Sequence, residues 1–113
     1  MANWIHSVTR ASSLRSPARL LFGFDVFISY ARSDGTTYAE FLEAKLEGAG
    51  FTVFRDKREL NAGDPLSQAI VKAIRRSKRF ALVDTVGARN SDWVAKEVET
   101  FLQFRKQGLI QIR

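Results

Sequence analysis

Four short apolar runs, parted from one another by single helical segments, set the terms for everything else in this chain. Phe24-Asp-Val-Phe-Ile-Ser-Tyr30 is rich in β-formers and runs into the breaker Ser33-Asp34-Gly35. Thr36 to Ala49 predicts an amphipathic helix. Ala39, Leu42, Leu46 and Ala49 recur at helical spacing, and Gly48 and Gly50 supply the stop. Phe51 to Phe54 reads as a second strand, followed by a polar loop from Arg55 to Gly63. Asp64-Pro65 then predicts a helix start, with Leu66, Ile70, Ala73 and Ile74 as its buried stripe. Phe80 to Val83 is a third strand, Ser91 to Phe104 a helix, and Leu109 to Ile112 a fourth strand. This order predicts an α/β fold, a parallel sheet with helices on both faces. Ligands of such sheets bind beyond the carboxyl ends of the strands. That rim holds Tyr30 to Gly35, Arg55 to Asp64 and Asp84 to Asp92.

The helix from Ser91 to Phe104 begins beside the rim and carries an anomaly. At about 100° per residue, Trp93, Val94, Val98, Phe101 and Leu102 fall within roughly half the circumference. Asp92, Ala95, Lys96 and Glu99 fall on the other half. Glu97 lies between Trp93 and Phe101, inside the apolar arc. It is also about six residues into the helix, past the turn where the dipole favours an acid. Two readings stand on the residues alone. Glu97 pairs with an arginine at the core edge, such as Arg32 or Arg89, or it is a buried carboxylate held for chemistry.

Composition narrows the remaining classes. The 113 residues make one domain with enough chain to bury a core. There is no cysteine and only one histidine, His6, so disulfides, thiolate metal ligands and a zinc site are excluded. No apolar run reaches transmembrane length. The net charge is +6, yet Arg10, Arg15 and Arg19 supply half of it within residues 1–23, which hold no acid. From Phe24 onward acids nearly balance bases, which argues against a nucleic-acid partner. Residues 1–23 read as a basic extension or linker, with a composition loosely like a transit peptide. The run Arg75-Arg76-Ser77-Lys78-Arg79 reads as a helix C-terminus that favours cations.

The motifs "FDVFISYARSD", "GFTVFRDKRELNAGDPLSQAIVKAIRRSKRFALV", "SDWVAKEV" and "LIQI" together resemble the Toll/interleukin receptor (TIR) domain. The resemblance spans residues 24–113, with the elements in the family's order. It implies the flavodoxin-like TIR fold. The family adds a fifth strand, so the chain is expected to lack the C-terminal part of the domain. Its fourth strand would then present an open edge to another chain. After the third strand the family often reads "SPN", whereas this chain has Asp84-Thr-Val-Gly87. The receiver fold shares the sheet but requires an acidic pair at the end of the first strand, which here ends in Ser29-Tyr30.

Some members of the family resemble adaptors and others NAD-cleaving enzymes. The enzymatic form has a glutamate four residues after a tryptophan, as in Trp93-Val-Ala-Lys-Glu97. The resemblance therefore implies Glu97 as the catalytic residue of an NAD+ glycohydrolase. It implies Tyr30, Arg32 and Trp93 around the substrate, and Gly63 and Asp64 in a loop that gates the cleft. It implies no metal and no cofactor beyond NAD+ as substrate. It also implies self-association through TIR–TIR contacts, and a cytoplasmic role in immunity or cell death. The alternative is a signalling adaptor that acts only through those contacts.

Overall fold

The computed structural model describes residues 23–57 and 64–108, the last three of these by backbone alone. Gly63, the expected fourth strand Leu109 to Ile112 and residues 1–22 lie outside the described residues. The described elements run β1 (Phe24–Ser29), α1 (Thr36–Gly48), β2 (Val53–Arg55), α2 (Gln68–Arg75), β3 (Ser77–Leu82), α3 (Val86–Arg89) and α4 (Asp92–Gly108). The three strands form one parallel sheet in the order β2-β1-β3.

Alternation along β1 divides the core between the two faces of the sheet. Val26 and Ile28 join Val53, Val83 and Ala39 of α1 on one face, with Leu42 and Leu46 packed against them. Phe27 joins Ile70, Ala73 and Ile74 of α2 on the other. Parallel register sets Phe54, Phe27 and Phe80 side by side across the three strands. Their rings stack at centroid distances of 5.3 and 5.4 Å, and Phe80 passes the row to Phe101 of α4 at 5.0 Å. This aromatic row fixes where α4 lies, and thereby where Glu97 lies.

Several expected boundaries move, each for a local reason. The first helix ends at Gly48, and Gly50 at φ 97° turns the chain toward β2. Ala49, expected in the buried stripe, is exposed. The second helix starts at Gln68 rather than at Asp64-Pro65. Ser67 is its cap, accepting the Ile70 amide at 3.2 Å. The third strand begins three residues early, at Ser77, whose hydroxyl satisfies the Ala73 carbonyl at the end of α2. Only the start of the basic run therefore belongs to a helix end; Lys78 and Arg79 are exposed strand residues. The last helix has Ser91 capping the Val94 amide at 3.1 Å, and it runs on to Gly108. Leu102, expected on its apolar side, is 55% exposed. The turn α3, capped by Thr85, was not foreseen.

Candidate active site

Beyond the carboxyl end of β1 the chain turns sharply into α1, with the Gly35 amide donating to the Ala31 carbonyl at 2.8 Å. This turn, the segment after β2 and the start of α4 enclose a cleft of about 370 Å³. It lies on the rim that the element order predicts.

Glu97 lines this cleft and is only 2% exposed. Its Oε1 accepts a hydrogen bond of 2.6 Å from the Ser29 hydroxyl, at the end of β1. The ion-pair reading of Glu97 therefore gives way. Arg89 is engaged with Asp84 at 2.9 Å, and Arg32 is exposed at the mouth. Burial pushes the Glu97 carboxyl up to about 7. The Ser29 hydroxyl pulls it down, the Asp56 carboxylate beside it pushes it up, and Trp93 and Arg32 pull it down further.

Tyr30 is buried, and its hydroxyl donates to the Asp56 carbonyl at 2.8 Å. Arg32 donates to the same carbonyl at 3.3 Å, and Arg55 to the Tyr30 hydroxyl at 3.0 Å. Arg55 is itself held by Glu43 of α1 at 2.7 Å. Together these bonds fix the backbone that turns the buried Asp56 side chain toward the cleft. Trp93, half-buried, forms part of the wall. Asp64 is not among the residues lining the cleft. Its carbonyl accepts from Lys96 at 2.9 Å, which ties the end of its loop to the residue preceding Glu97.

Two parts of the site were missed in the sequence reading. Ser29 and Asp56 enter from the ends of β1 and β2, and nothing in their local spacing marks them. The second part is a clamp between rim loops. Asp34 accepts from the Thr85 hydroxyl at 2.6 Å and from the Gly87 amide at 2.8 Å, and these bonds hold its carboxyl below the usual range. A side chain at Gly87 would run into the Asp34 carboxylate. Among the described residues no group of three or more histidine, cysteine or acidic side chains gathers as a metal site would. No described helix is long and apolar enough to cross a membrane.

A buried glutamate with a second acid, Asp56, beside it on a half-apolar cleft, at the switch edge of a parallel sheet, defines a small-ligand site. The family model of the TIR domain matches residues 26–113, and the chain belongs to that family. It is 33% identical over 118 residues to the NAD(+) hydrolase SARM1 of Danio rerio, covering 92% of this chain and 16% of that protein. It is 32% identical over 85 residues to the 2' cyclic ADP-D-ribose synthase AbTIR of Acinetobacter baumannii, covering 75% of this chain and 32% of that protein. The chain thus spans a third or less of the length of these relatives. Among solved structures it resembles the TIR domains of the activated Roq1 resistosome recognising the effector XopQ. The TM-score is 0.65 and the identity 27%, covering 78% of this chain and 54% of that one.

Proposed function

We propose that the chain is an NAD+ glycohydrolase domain with Glu97 as its catalytic carboxylate. The observation that carries this reading is Glu97 itself: buried in an apolar arc, open to the cleft, and held by a neutral hydroxyl rather than neutralised by a cation. Ordinary glycosidases need a second carboxyl to protonate a departing oxygen. The nicotinamide of NAD+ is itself a cationic ring that takes the bonding electron pair and departs from the ribose neutral, so breaking this bond needs no proton donor. What remains is to stabilise an oxocarbenium-like ribose, and a carboxylate in a water-poor site does that. Water attack at the ribose carbon then gives ADP-ribose, and attack by the adenine of the same molecule gives a cyclic product. Relatives named as an NAD(+) hydrolase and as a 2' cyclic ADP-D-ribose synthase support this chemistry class.

In this reading Trp93 and Tyr30 flank the nicotinamide and ribose, and Arg32 stands at the mouth. The loop carrying Gly63 and Asp64 gates entry. Self-association switches the domain on in cytoplasmic immune or cell-death signalling, which the likeness to TIR domains of an activated assembly supports. The test is incubation with NAD+ and chromatography of the products, wild type beside Glu97→Ala, at several protein concentrations. Wild-type turnover that disappears in a folded variant is the expected result. Equal turnover in both would remove Glu97 from the chemistry. A wild type inert at every concentration would favour an adaptor.

A further inference from the structure

The geometry points to Ser29 as a positioning residue that aims the Glu97 carboxylate at the substrate without cancelling its charge, an inference that rests on the function proposed above. Ser29 is 1% exposed and occupies the last position of the central strand. Its backbone is fixed by pairing with Leu82 and by the Val83 amide, which donates to the Ser29 carbonyl at 2.9 Å. A hydroxyl on so constrained a strand end is a rigid donor. It meets Glu97 Oε1 at 2.6 Å, at the short end for an O–H···O bond and typical of an ionised acceptor.

The chemical identity of this donor matters. An arginine at the same place would also fix the carboxylate, but it would offset the negative charge that the oxocarbenium needs. A lysine would do the same. Serine has one proton to give, carries no charge, and engages one carboxylate oxygen while Glu97 still lines the cleft. It also opposes the burial that favours the neutral acid, because its hydrogen bond favours the charged form. The groups facing Glu97 from neighbouring elements are Asp56 from the segment after β2, Arg32 from the β1–α1 turn and Trp93 from its own helix. Of the four, Ser29 alone is anchored within the sheet.

The experiment is the carboxyl titration of Glu97 by carbon NMR on the whole chain without substrate, in wild type, Ser29→Ala and Ser29→Thr. These are followed by kcat and KM for NAD+ across pH. The inference expects the Glu97 midpoint to rise by about one unit or more in Ser29→Ala and to stay near wild type in Ser29→Thr. It expects kcat at pH 7 to fall on the order of tenfold in Ser29→Ala, KM to change little, and the pH profile to move to the alkaline side. A Glu97 midpoint unmoved in a folded Ser29→Ala protein would overturn it. So would a kcat loss accounted for entirely by a lower melting temperature. A wild type without turnover would sink the functional reading instead, while the titration would still report whether Ser29 controls Glu97.

Discussion

Glu97 has exchanged its water for a serine hydroxyl and an indole, and the exchange has a sign. In the unfolded chain the carboxyl titrates near 4.5, and in the fold near 7. Below the lower value both states are protonated and the buried neutral acid costs little. As pH climbs from 4.5 to about 7 the unfolded chain ionises while the folded one stays protonated, and stability on the order of 3 kcal/mol is lost; above about 7 the fold holds the charge too and the loss levels off. Wild type should therefore melt at a lower temperature at pH 8 than at pH 5.5. Glu97→Gln, neutral throughout, should flatten that slope. Parallel slopes would mean the carboxyl is solvated. Activity runs the opposite way, since the carboxylate is the working form: kcat/KM should rise with pH through about 7. Trp93→Ala should lower both stability and turnover. Because the ring is only half-buried, a loss of roughly 2 kcal/mol is expected, below that of a fully buried aromatic. Normal melting with normal turnover would mean the ring walls nothing.

Elements carry the site through the phenylalanine row. Phe27 is fully buried at its centre, so Phe27→Ala should cost roughly 3–5 kcal/mol, read by denaturant unfolding. It should also loosen α4, because Phe80 transmits the packing to Phe101. The rim clamp makes a different prediction. Asp34→Ala frees the β1–α1 turn from α3, and KM for NAD+ should rise several-fold while the melting temperature barely changes. An unaltered KM would leave the clamp without a role in binding. The elements were legible in the sequence because the apolar runs are short and each is parted from the next by one helical stripe. The caps were less so. Asp64 and Ser67 are both good cap residues, and only tertiary packing of Leu66 and Ile70 selects the second. The same limit applies to the site. Glu97 stood out because it breaks a helical stripe, but Ser29 looks like any serine closing a strand, and its meaning comes from an element far along the chain.

At the scale of the molecule, the proposed self-association should make turnover a property of the population. Specific activity should rise steeply with protein concentration if TIR–TIR contacts complete the site. A flat response over a range where light scattering reports only monomer would contradict that. The bond between Ser29 and Glu97 joins positions 68 apart, from the first described strand to the last described helix. Everything from β1 to α4 must be made and docked before the acid meets its hydroxyl. A chain still emerging during synthesis, or one cut anywhere between these elements and separated, holds no competent half-site. For a protein whose proposed substrate is a coenzyme of central metabolism, this long closure is a safeguard in time: destructive chemistry waits for the finished fold, and unfolding extinguishes it first.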